Sequence, residues 1–213
     1  MLFVSQLLNL ESMNLGFLAS HGGSNMQAII DKCRGGQIPA NPALLICNNP
    51  GATAVKRARD LQVTVRILNG KTHPNPDELD RAMKSALLEA EVDLVILAGY
   101  MKKIGPATLV AFSNRILNIH PSLLPKFGGR GMYGIRVHEA VISTGETESG
   151  ATVHLIDSGY DKGQILRQSK IVVAASDTPE SLQKRILEIE HDLYPETIAA
   201  IAKGSIDLPV NAP

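Results

Sequence analysis

The sequence has 213 residues, 44% of them hydrophobic and 4% aromatic, and its 21 Lys and Arg are matched by 21 Asp and Glu. This composition excludes a disordered chain and supplies the apolar side chains of a full core, and the length suits one domain. Zero net charge excludes a nucleic-acid binder held by a broad basic face, which needs several uncompensated cations, but leaves local phosphate capture open.

Residues 1–10 are apolar enough to suggest a targeting segment, yet the first Lys or Arg is Lys32. A secretory signal needs a basic start and a longer apolar run, and no stretch reaches the ~20 apolar residues that span a bilayer. Met13 opens a second plausible start, so residues 1–12 are read as an extension of uncertain status on a single domain, 1–213. Cys33 and Cys47 are too few for a disulfide framework and read as buried and reduced. Cytoplasm is the expected location, with no membrane partner.

From Leu15 onward, strand-length apolar runs at 15–19, 43–47, 63–68, 94–98 and 116–119 alternate with helical periods at 24–34, 52–60, 76–90 and 106–112. That alternation predicts βαβ units and a parallel sheet covered on both faces. After Pro121 come a loop rich in Gly and Pro, a helix at 135–143, strands at 151–156 and 165–173, and a long helix at 179–202. Two successive strands imply antiparallel members. The predicted fold is α/β: a Rossmann-like, mostly parallel sheet with helices on both faces and antiparallel C-terminal strands.

The first strand runs into Ser20-His-Gly-Gly-Ser-Asn25 and then a helix. A Gly-rich turn opening a helix gathers free N–H groups at the positive end of a dipole, which suits a phosphate. The plain alternative is a tight turn with Ser24 as N-cap. Two other motifs fail on context. Gly129-Arg-Gly-Met-Tyr-Gly134 follows a Pro-rich loop instead of a strand, and Gly70-Lys-Thr72 would put the leading glycine of a phosphate loop at Val65, inside a strand. No serine-hydrolase elbow occurs, and the His and Cys residues lack metal-ligand spacing.

The most informative segment is Asn118-Ile-His-Pro-Ser-Leu-Leu-Pro125. Asn118 and His120 lie two apart at the end of an apolar strand, so both side chains point the same way, and Pro121 stops the strand. Ligands of open α/β sheets sit at such carboxyl ends. A polar strand end capping its own loop is the competing explanation.

This string, with Gly23-Ser-Asn25 after the first strand and Asp161 seven residues beyond His154, resembles the folate-dependent formyltransferases over about residues 13–204. The Gly-Ser-Asn element and Glu190-His-Asp-Leu-Tyr-Pro195 resemble the branch acting on glycinamide ribonucleotide. The resemblance implies transfer of a formyl group from 10-formyltetrahydrofolate to the amine of 5-phosphoribosylglycinamide in purine synthesis. The folate is then a co-substrate, with no tightly bound cofactor, no metal and no nucleic-acid partner; oligomeric state is left open.

By the same resemblance, Asn118, His120 and Asp161 form a catalytic trio. Gly23, Ser24 and Asn25 hold the substrate phosphate, with Glu190 near the glycinamide end. Met101, Lys102, Lys103 and Ile104 meet the pterin through their backbone, Asn118 faces the folate as well, and Asp157, Ser158, Gly159, Tyr160 and Asp161 close over the ring. The chain departs from the family pattern at His21-Gly22, at Lys102-Lys103, and in a longer, Gly-richer loop at 127–134, which puts contacts of Arg130 and Tyr133 in question.

Formyl transfer develops charge on the formyl oxygen and moves protons from one nitrogen to another. An Asn amide can donate to that oxygen, a contribution worth ~3 kcal/mol. His120 can carry a proton and Asp161, if close, would favour the imidazolium. The alternatives are a formyltetrahydrofolate deformylase using the same trio, formylation of a charged tRNA or nucleotide sugar, and a noncatalytic ligand-binding α/β domain.

Overall fold

A computed structural model describes residues 12–157, 159 and 161–209. The expected extension at 1–12 therefore lies outside the described residues except for residue 12, and so do Ser158 and Tyr160. The elements in chain order are β1 (Met13–Ala19), α1 (Ser24–Arg34), β2 (Ala40–Cys47), α2 (Thr53–Asp60), β3 (Thr64–Ile67), α3 (Pro76–Glu89) and β4 (Leu94–Leu97). They continue with α4 (Pro106–Ala111), β5 (Ile116–His120), α5 (Ile135–Ser143), β6 (Glu148–Leu155), β7 (Ile165–Val172) and α6 (Pro179–Ala202).

One seven-stranded sheet runs in the order β3-β2-β1-β4-β5-β6-β7. The pairs from β3 to β5 are parallel and the last two antiparallel. Every residue of β4 is buried because helices cover both faces of the sheet. On one face Phe17, Leu45 and Ile96 pack with Met26 and Ile29 of α1 and Ile186 and Tyr194 of α6. On the other, Leu18, Ile46 and Val95 pack with Met83 and Leu87 of α3. Gly16 makes the second layer fit, since a Cβ there would stand 2.8 Å from Leu87 and 2.9 Å from Val92.

Local chemistry sets the helix starts. The Asn75 side chain accepts from the N–H of Asp77 and Glu78, with Pro76 in the first turn of α3. Thr178 and Ser181 form a reciprocal capping box at α6. Three strands begin earlier than the apolar runs: β1 at Met13, β2 at Ala40 and β6 at Glu148. In β2, Asn41 and Pro42 pair with β1 across an irregularity at Leu15/Gly16, which absorbs the missing N–H of the proline. In β6, Ser149 and Gly150 carry no apolar signal, and Gly150 allows the backbone of Ser169 to approach closely.

The sheet order reverses between β1 and β4, so their loops diverge and leave a crevice at the carboxyl ends. The loops are tied at its base: the Ser20 N–H donates to the Gly99 carbonyl at 3.1 Å, and Ser20 Oγ accepts from the Met101 N–H at 2.8 Å. Tyr194 fastens α6 over the next strands, its buried hydroxyl 2.9 Å from the Leu117 carbonyl.

Candidate active site

A cavity of about 810 Å³ opens at this crevice, and Asn118, His120 and Asp161 all line it. Asn118 and His120 project from the end of β5 with the predicted period of two. Asn118 lies directly opposite His154 of β6, and its Nδ2 is 3.1 Å from His154 Nε2. His120 Nε2 is 2.8 Å from the Phe127 carbonyl oxygen. A carbonyl only accepts, so Nε2 carries a proton and the nitrogen free to gain or lose one is Nδ1.

That nitrogen faces Asp161, whose Oδ2 is 3.8 Å away. The Asp161 carboxylate is held by the Gly129 N–H, which donates to Oδ2 at 2.8 Å, while Oδ1 lies 3.7 Å from His154 Nε2. Asp161 adopts φ 53°, a left-handed conformation that Asp tolerates better than most residues. The carboxylate thus sits between two imidazoles, outside hydrogen-bond range of both.

At the other end of the cavity, the Asn25 side chain in the first turn of α1 donates to Glu190 of α6 at 2.7 Å. Burial pushes the Glu190 carboxyl up to about 7, and the bond from Asn25 pulls the other way. Asn25 and Glu190 line the cavity; Gly23 and Ser24 stand just outside its wall. Gly23, not Ser24, is the N-cap of α1. It has φ 69°, and a Cβ there would meet the Ala54 Cβ at 2.7 Å. Its glycine identity therefore follows from the turn and from α2 packing. The tight-turn explanation of this motif holds in that respect, with the capping residue corrected from Ser24 to Gly23.

Met101, Lys102, Lys103 and Ile104 form another wall, with Ile104 buried and the preceding three exposed. The Met101 N–H is already used by Ser20. Asp157 and Gly159 also line the cavity, and Asp157 Oδ1 accepts from the Gly159 N–H at 2.7 Å.

The sequence reading missed several wall residues. Gly129 to Gly134, set aside as a dinucleotide motif, forms one side, with Arg130 and Tyr133 among the lining residues. His138 of α5 is buried against the same space. Burial first, then the neighbouring His120, pushes its imidazole down to about 4. Gln183 and Leu187 line the cavity from α6 beside the expected Glu190, and their helical spacing from it was a signal available in the sequence. Among the described residues no cluster of three His, Cys, Asp or Glu could hold a metal ion, and no helix is long and apolar enough to cross a membrane.

The pattern that defines the formyl transferase family matches residues 13–198. A phosphoribosylglycinamide formyltransferase of Haemophilus influenzae is 37% identical over 92% of this chain and 91% of its own length. The chloroplastic phosphoribosylglycinamide formyltransferase of Arabidopsis thaliana is 42% identical over 90% of this chain, which spans 66% of that protein. The crystal structure of glycinamide ribonucleotide transformylase 1 from Symbiobacterium toebii superposes with a TM-score of 0.86 at 39% identity, covering 92% of this chain and 91% of that one. A formyltetrahydrofolate deformylase from Pseudomonas syringae has a TM-score of 0.83 at 17% identity, covering 94% of this chain and 64% of that one, a likeness of fold alone.

Proposed function

The chain belongs to the formyl transferase family, and on that premise we propose that it transfers the formyl group of 10-formyltetrahydrofolate to the amine of 5-phosphoribosylglycinamide, a step of purine synthesis. The observation that carries the reading is the meeting of Asn118, His120 and Asp161 in one cavity, with the His120 nitrogen that can gain a proton turned toward the carboxylate.

The cavity lining offers two kinds of surface that would suit the two substrates. Leu97, Ile104, Leu109 and Ile156 give it an apolar region suited to a planar heterocycle, beside the backbone of Met101 to Ile104. Asn25 and Glu190 give the other end polar groups next to the α1 N-terminus, which suits a phosphorylated amine. Gly23 and Ser24 would offer backbone N–H groups to the phosphate. Asp157, Gly159 and Asp161 would lie against the heterocycle.

The folate supplies the activated formyl group; the protein positions it and handles charge and protons. Attack by the amine places negative charge on the formyl oxygen, and an N–H of Asn118 is the donor that would meet it, worth ~3 kcal/mol for a single such group. The amine must shed a proton, and His120 Nδ1 can receive it. Asp161 would stabilise the resulting imidazolium because its carboxylate is fixed by Gly129 at that nitrogen. His120 then returns the proton to the departing nitrogen. The cycle needs no covalent nucleophile. Cytoplasm is the proposed location.

Purified protein incubated with 10-formyltetrahydrofolate, with and without the ribonucleotide amine, tests this reading. We expect formylated ribonucleotide and free tetrahydrofolate only when the amine is present. Formate release independent of the amine would identify a deformylase instead.

A further inference from the structure

His154 lies outside the trio, yet it is fully buried at the end of β6 and neighbours two of its members. Both ring nitrogens are engaged. Nδ1 is 2.9 Å from the Leu155 carbonyl oxygen, which can only accept, so Nδ1 carries the proton. Nε2 of a neutral ring then offers only a lone pair. The group 3.1 Å from it is the Asn118 carboxamide nitrogen, which donates to it. Turning the carboxamide over would oppose its oxygen to that lone pair and lose the bond.

We propose that His154 is a positioning residue that acts through Asn118: its Nδ1–H tautomer fixes the Asn118 carboxamide nitrogen toward Nε2, so that the second N–H of Asn118 stands ready as a donor to the reacting carbonyl. The catalytic consequence rests on the proposed formyl transfer; the hydrogen-bond lock does not. The lock requires a neutral ring, since a protonated Nε2 would confront the Asn118 donor with another donor. Burial, the largest influence, holds His154 below the usual histidine value. Asp161 at 3.7 Å, Asp157 and the Leu155 carbonyl favour the charged ring, and His120 opposes it. Asp161 is too far to take over the hydrogen bond.

The first arm of the test uses the unmodified protein. Nitrogen-15 NMR of the imidazoles should show His154 protonated at Nδ1 and bare at Nε2 throughout the neutral range. A proton on Nε2 would overturn the lock whether or not the protein transfers formyl groups, whereas absence of transfer with the expected tautomer would count against the proposed function alone.

The second arm is kinetic. His154→Asn keeps a donor near the Leu155 carbonyl but has no acceptor at the Nε2 position; His154→Gln places a carbonyl oxygen there. His154→Asn should lower kcat by about tenfold or more with both KM values nearly unchanged, less than the ~100-fold or greater cost of losing a donor outright. His154→Gln should restore most of the loss. In an Asn118→Ala background, His154→Asn should cost almost nothing further, because residues acting as one unit are not additive. Multiplied losses in the double variant, or no rescue by Gln, would overturn the proposal.

Discussion

The Asn25 side chain donates to Glu190 at 2.7 Å across 165 positions of sequence, joining the first turn of α1 to the middle of α6 in the cavity wall. The acceptor is buried, and its carboxyl is pushed up to about 7 from an ordinary 4.5. A raised carboxyl binds its proton more tightly in the folded chain than in the unfolded one. Stability therefore falls as pH rises through the window from the unfolded value to about 7. Glu190→Gln removes this penalty and keeps an acceptor for Asn25. Relative to the parent, the variant should gain about 3 kcal/mol between pH 4.5 and 8. Thermal denaturation across pH measures it; a difference between the two proteins that does not change with pH would show that Glu190 ionises freely.

His138 pulls the other way. Its imidazole is pushed down to about 4, so the unfolded chain takes up that proton first and stability is lost as pH falls from 6.5 toward 4. His138→Gln should flatten the acid side of the stability curve. An unchanged acid limb would remove His138 as its cause.

Gly23 should tolerate no side chain. With φ 69° and a Cβ 2.7 Å from that of Ala54, Gly23→Ala forces both the turn and the α2 contact to shift. A cost of about 1–2 kcal/mol is expected, a fall of several degrees in Tm for a chain of this size. KM should rise more for the ribonucleotide than for the folate, because the shifted turn carries the N–H groups proposed to meet the phosphate. Equal rises for both substrates would indicate a general collapse of the turn and count against a phosphate role for Gly23.

Tyr194→Phe removes the hydroxyl that reaches the Leu117 carbonyl at 2.9 Å and the Leu97 carbonyl at 3.3 Å. Leaving buried carbonyls short of a donor should cost about 1–3 kcal/mol and lower Tm. An unaltered Tm would mean that apolar packing alone seats α6.

The layered sheet was legible because its signals are local. The residues Leu94 to Leu97 read as a strand buried on both faces, and Asn75-Pro76 and Thr178-Pro179 announce helix starts within a few residues. Pro42 and Gly150 hid the true starts of β2 and β6, where pairing with a neighbouring strand outweighs local propensity. The site was legible where it lies on one strand: Asn118 and His120 share a face by period alone. The Gly129 to Gly134 wall was not, because it depends on the long-range bond from Gly129 to Asp161. His154 entered the sequence reading only as a spacing mark for Asp161, since its contact with Asn118 exists only once β5 and β6 pair.

The most direct test of the central claim is the rate of a single turnover by Asp161→Asn with both substrates bound. The Asn side chain keeps an oxygen to accept from the Gly129 N–H, so the loop should stay in place, and only the charge facing His120 Nδ1 is lost. We expect both dissociation constants to stay near parental values and formyl transfer to slow by on the order of 100-fold or more. Transfer at the parental rate would contradict the assignment of Asp161, and with it the proton route through His120.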